Sequence, residues 1–177
     1  MTDSRTRGFT LIELMIGLAI AALLLVLAMP GYSLWIADNQ IRNAAESIAG
    51  GLRYAQGEAI KQNSQVEFVV DPKTGTGGWV VRLVSDGSTL QTGVFAEGAD
   101  RTTLTPLPAA TTTVTFTGLG TIAAINADAS GPLTQVQVTS ASGVAGARDL
   151  NVLVGGNRTG VKICDPKWPA TDPKGCP

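Results

Sequence analysis

Histidine is absent from all 177 residues. Without imidazole there is no His general acid or base, no Ser-His-Asp or Cys-His pair, and most catalytic zinc sites are excluded. An excess of charge of one sign is missing too. Thirteen Lys and Arg face 14 Asp and Glu, for a net charge of −1, so no whole-chain field favours nucleic acid. Charged residues make up only 15% and aromatics 5% of a chain that is 44% hydrophobic. That balance excludes a disordered polymer and predicts substantial burial. Cysteine is scarce. Cys164 and Cys176 stand 12 positions apart, which is no CxxC redox or metal pair. In a reducing compartment they stay free; in an oxidising one they close a loop worth about 3 kcal/mol. Glycines are frequent but form no phosphate loop, because Gly118-Leu119-Gly120 and Gly155-Gly156 lack a following Lys-Ser/Thr or a helix start. Glu97 and Asp100 read as solvated charges in a turn. The expectation is a protein that is not an enzyme, with no cofactor, no catalytic residues and no metal.

One long apolar run is present. Residues 1–8 are short and polar and carry Arg5 and Arg7; residues 9–29 are apolar except for Thr10, Glu13 and the small Gly17. As a helix this run spans about 32 Å, close to the roughly 30 Å of a bilayer core. The two arginines precede it, which predicts a cytoplasmic N-terminus. A secretory signal peptide would have a shorter apolar core and a cleavage site after it. A plain signal anchor fits the length and leaves Glu13 without a role. A carboxylate near a bilayer costs a few kcal/mol unless it is paired.

The string Gly8-Phe9-Thr10-Leu11-Ile12-Glu13-Leu14 resembles the class III signal sequence of type IV pilins and type II secretion pseudopilins. The resemblance implies that a membrane aspartyl peptidase cuts between Gly8 and Phe9 and methylates the new N-terminal Phe9. It also implies that Glu13 pairs with the N-terminal ammonium of a neighbouring subunit inside the filament core. Such a desolvated pair penalises an unpaired subunit more than it stabilises a paired one, so it can set register.

Pro30 and Gly31 follow the run and predict a break. Apolar residues then recur at three and four: Ile41, Ala44, Ala45, Ile48, Ala49, Leu52, Ala55, Ala59 and Ile60. This pattern predicts a long broken helix over residues 9–63 whose second half packs a narrow stripe on a sheet. Arg53-Tyr54-Ala55, Glu58-Ala59-Ile60-Lys61 and Asn63 look like the matching helix of the GspH/FimT/FimU group of minor pilins and pseudopilins. Strands are predicted over 65–70, 79–84, about 89–95, 112–117, 133–139, 150–154 and 161–164, with turns at Asp71-Pro72 and at 85–88. Pro106 and Pro108 are assigned to a loop, and the Pro-rich tail after Cys164 to no element.

From Arg148 onward five basic residues face three acidic ones. Ile163-Cys164-Asp165-Pro166 resembles the ending of FimU- and FimT-like minor pilins, which implies a Cys164–Cys176 disulfide. FimT-like members that bind DNA for natural transformation carry Gly-Arg-x-Arg just before this Cys. Here Lys162 takes the place of the second Arg and Gly160 that of the first, with Arg158 displaced. Lys keeps the charge and loses the planar fork. Trp168, between Lys167 and Lys174, can stack on a base, although a Trp in such a loop more often covers its own loop. Candidate DNA contacts are therefore Arg158, Lys162, Lys167, Trp168 and Lys174.

The fold class expected is α+β, a long helix on an antiparallel head of about seven strands. Its parts are a leader (1–8), a transmembrane assembly helix (9–29), an amphipathic helix (30–63) and a β-rich periplasmic head (64–177). The resemblance implies a minor pilin of a type IV pilus. The alternatives are a GspH-like pseudopilin of type II secretion and a FimT-like DNA-uptake pilin. Implied partners are other pilin subunits, the prepilin peptidase, the inner membrane and, through the basic tail, DNA. The implied location is the inner membrane, and the extracellular space once in a pilus.

Overall fold

Helix α1 (Leu11–Gln62) begins where Thr10 caps it, in a computed structural model that describes residues 10–72, 77–95, 98–141, 143–156 and 160–177. The cap is a reciprocal box. Thr10 Oγ1 accepts from the Glu13 amide at 3.3 Å, and Glu13 Oε2 accepts from the Thr10 amide at 2.9 Å. At the other end Asn63 is left-handed (φ 44°), and the amides of Asn63 and Ser64 donate to Ile60 and Ala59 carbonyls. In the last turn a hydrogen bond from Gln62, then one from Lys61, holds the Glu58 carboxyl below its ordinary pKa; Glu58 raises that of Lys61. The two arms, Leu11–Leu27 and Gly31–Gln62, are inclined at 42°. The expected break at Pro30 is thus a bend within a single continuous helix. Among the described residues no single straight helix is long and apolar enough to cross a membrane, and the bent pair is the candidate.

Among the described residues eight strands follow: β1 (Val66–Asp71), β2 (Gly78–Leu83), β3 (Thr89–Val94), β4 (Thr102–Leu107), β5 (Thr113–Phe116), β6 (Gln135–Ser140), β7 (Leu150–Gly156) and β8 (Gly160–Cys164). They form two antiparallel four-stranded sheets, ordered β3-β2-β1-β5 and β4-β6-β7-β8. This is the expected α+β class with one more strand than expected. The addition is β4, which contains Pro106 and pairs with β6 as an edge strand. An edge tolerates proline, because one flank of the strand needs no donor.

The second arm of α1 lies against both sheets. Ile41, Ala44, Ala45, Ile48, Ala49, Leu52, Ala55 and Ala59 are fully buried. They meet Val66, Phe68, Val81, Val114 and Phe116 of the first sheet and Val136, Val138 and Val152 of the second in one core. Ile60, expected on the stripe, is 55% exposed; it sits one position past Ala59, about 100° round the helix. Close approach needs small residues. A Cβ on Gly51 would lie 2.8 Å from Phe68 Cε2 and from Trp79 Cδ2, while Trp79 Nε1 donates to Ser47 Oγ at 2.9 Å.

The chain between β5 and β6 runs back along the free edge of β5, where the Ala123 and Leu133 amides donate to the Thr115 and Thr113 carbonyls. Buried Asn126 fastens it. Its Oδ1 accepts from Thr115 Oγ1 at 3.0 Å, and its Nδ2 faces the carbonyls of Thr113 (3.0 Å) and Gly131 (2.9 Å). Ser130 donates to Asp128 and holds that carboxyl below its ordinary pKa. Glu67, itself buried, pairs with Arg82 across β1 and β2. Asn126→Ala would take the side-chain partner from the Thr115 hydroxyl and the Gly131 carbonyl, and one of two donors from the Thr113 carbonyl, which keeps the Leu133 amide. It should cost about 1–3 kcal/mol in denaturant unfolding of the chain in detergent micelles, whereas Leu119→Ala, on an exposed turn, should leave the midpoint unchanged.

Candidate functional site

Two regions carry features that packing alone does not use. The first is the N-terminal arm. Apolar side chains from Leu11 to Leu27 are exposed all round the helix, with nothing among the described residues packed over them. A continuous apolar surface of that kind calls for lipid or other helices. Within it the Glu13 carboxylate is half satisfied. Oε2 accepts from both the amide and the hydroxyl of Thr10, and Oε1 has no partner among the described residues. Glu13 is therefore held in one orientation by its own cap, with one oxygen open to a cation. Gly8 and Phe9 lie outside the described residues.

The second region is the tail. Cys164, at the end of β8, is joined to Cys176, with Cα atoms 5.1 Å apart. The loop between them is a chain of turns. Asp165 pairs with Gly175 through a bridge in which the Asp165 amide donates to the Lys174 carbonyl at 2.8 Å. Buried Asp165 also accepts from the Lys167 amide, and Asp172 from the Lys174 amide. A Cβ on Gly175 would collide with the carbonyl oxygen of Pro169. The tail is thus more ordered than its prolines suggest, because the Asp165 and Asp172 carboxylates accept the Lys167 and Lys174 amides and close local turns.

The candidate DNA contacts divide among different jobs. Lys162 Nζ donates to the Gly175 carbonyl at 2.9 Å and Lys167 Nζ to the Ala147 carbonyl at 3.3 Å, so both ammoniums tie the tail down. Lys174 Nζ lies 5.7 Å from the centre of the Trp168 ring, a cation–π distance. Trp168 remains 45% exposed, so it does not merely cover its own loop. Arg158 lies outside the described residues, as does Glu97. Trp168 and Lys174 come together, while Lys167 reaches back to Ala147 and Lys162 is turned to the tail's closing end.

Sequence reasoning missed what the tail faces. A groove of about 520 Å3 separates it from α1, with Trp35, Arg42 and Arg148 on one side and Trp168 and Lys174 on the other. Asp38 crosses at its floor, accepting from the Arg148 amide at 2.9 Å. Nothing in local sequence links residues 110 positions apart. Among the described residues no cluster of His, Cys, Asp and Glu could hold a metal ion.

Comparison with known proteins gives these features a setting. The family described as type II transport protein GspH matches residues 44–160, and the prokaryotic N-terminal methylation motif matches residues 3–29. The type IV major fimbrial protein FimA of Dichelobacter nodosus is 39% identical over 75 residues, 42% of this chain and 46% of that protein. The chain thus spans about half the length of the curated relative it matches. A crystal structure of the type IV minor pilin FimU of Pseudomonas aeruginosa superposes with a TM-score of 0.50 at 23% identity, covering 78% of this chain and 96% of that one. That similarity bears on the fold, a helix packed on antiparallel sheets.

The disulfide closes a loop that otherwise hangs on a few turns. Cys176→Ser should lower the unfolding free energy by about 3 kcal/mol, and reductant should do the same to the unchanged chain. Equal thermal midpoints with and without reductant would show that the bond does not support the head.

Proposed function

The chain belongs to the GspH family and carries a prokaryotic N-terminal methylation motif, and from that premise we propose that it is a minor pilin that primes or caps a type IV pilus. One observation carries this reading. The chain has a wholly exposed apolar helical arm, with a single oriented carboxylate in its first turn, fused to a head whose core is already complete. A completed head has no use for such an arm; lipid and neighbouring helices do.

The sequence of events follows from the chemistry. Before assembly the arm is anchored in the inner membrane, with the N-terminus cytoplasmic and the head periplasmic. Peptidase cleavage after Gly8 frees the Phe9 amine, which is then methylated. Glu13 Oε1 accepts a neighbour's ammonium while Thr10 holds Oε2. In a low-dielectric core an unpaired partner is costly, so the pair admits a subunit in one register. The same steps suit a pseudopilin of type II secretion; the disulfide-closed tail favours the pilus.

A second reading, DNA capture by the tail, draws on the Trp168–Lys174 pair and the nearby Lys167. An exposed aromatic with flanking cations suits a stacked base and its phosphates. Its weakness is that two of the candidate lysines already donate to backbone carbonyls.

Glu13→Ala should reduce recovery of the chain in sheared pili by about tenfold or more, while its level in the membrane stays the same; undiminished recovery would sink the ion-pair role. For the tail, Lys167→Ala with Lys174→Ala should weaken a low-salt gel shift and flatten its salt slope by about 2, for two lost phosphate contacts. Absence of any shift at low salt removes the DNA reading.

A further inference from the structure

Where α1 leaves its apolar arm, a second cleft of about 450 Å3 opens between helix and head. Met29, Tyr32 and Ile36 form its helix wall; Arg101 and Val144 close it from the head. The wall is largely apolar, and Arg101 brings one full charge to its rim. The Arg101 guanidinium has no hydrogen bond or ion pair among the described residues. Its neighbour Asp100 is engaged instead by Gln40, whose Nε2 donates to Asp100 Oδ1 at 3.0 Å.

Position along the helix tells what the cleft meets. Met29 ends the apolar run. Tyr32 and Trp35 lie about 4.5 and 9 Å farther along the axis. Outside each face of the hydrocarbon the headgroup layer is about 5–8 Å deep. The two rings stack with centroids 6.1 Å apart and are 64% and 62% exposed, as expected of an interfacial aromatic pair. The head edge beside them, Gly143-Val144-Ala145-Gly146-Ala147, carries neither charge nor bulk, so it can rest close to a lipid surface.

We propose that this cleft is a phospholipid headgroup site: Arg101 holds the phosphate in its planar fork, and the acyl chains descend along the exposed face below Met29. A planar guanidinium suits a phosphodiester through two parallel N–H···O bonds. Lipid is the occupant because the cleft is continuous with the exposed arm Leu11–Leu27, so the proposal rests on the membrane-anchor reading. Before assembly the site would fix the head's tilt against the membrane; entry into a filament would release the lipid.

The test uses the full chain, reconstituted in vesicles of phosphatidylcholine and phosphatidylglycerol, then extracted in mild detergent for native mass spectrometry. Carbonate-resistant insertion is checked first. The expected result is one retained phospholipid per chain, with occupancy about tenfold lower in Arg101→Gln and intermediate in Arg101→Lys. Millimolar inorganic phosphate should fail to displace it. Retention equal in Arg101→Gln and the unchanged chain overturns the proposal and leaves the membrane anchor standing. Displacement by phosphate alone also overturns it, by making the site one for a free anion. Failure to insert overturns the anchor and this site together.

Discussion

Everything in the head depends on one helix face. Two four-stranded sheets meet on α1, and neither has a core without it. The fully buried stripe from Ile41 to Ala59 supplies the surface that both inner faces cover. Burial of this kind is non-directional and scales with area. Position along the stripe must therefore come from shape. Alanines and Gly51 let the sheets approach, and Trp79 locks the register by pressing on Gly51 while its ring nitrogen reaches Ser47.

The same helix, one arm earlier, faces the opposite demand. Its apolar residues have no partner among the described residues and are exposed in all directions. The 42° bend separates the two regimes. A head that folds on the distal arm leaves the proximal arm free to exchange lipid for neighbouring helices without disturbing the core. The carboxylate in that arm caps its own helix through Oε2 and leaves Oε1 without a partner among the described residues.

Cationic residues near the tail illustrate how context redistributes roles. In sequence, Lys162, Lys167 and Lys174 look equivalent. In the fold two of them hold the tail to the body through backbone carbonyls, and the third sits over Trp168. Arg101, which drew no notice in sequence, has no side-chain partner among the described residues and lines the cleft at the neck.

The sequence by itself determined the local features. The Gly8-Phe9-Thr10-Leu11-Ile12-Glu13 string identified the family, the three-four spacing marked the stripe, and alternating segments bounded by turns marked seven of the eight strands. These signals lie within a few residues of one another, where helix and strand geometry act directly. The tertiary structure decided the rest. It made 102–107 an edge strand despite Pro106, turned Ile60 outward, sorted the lysines, and built the groove and the neck cleft from residues far apart in the chain. Those outcomes depend on which elements lie side by side. Adjacency is set by burying one shared helix face under two sheets, and no stretch of sequence records it locally.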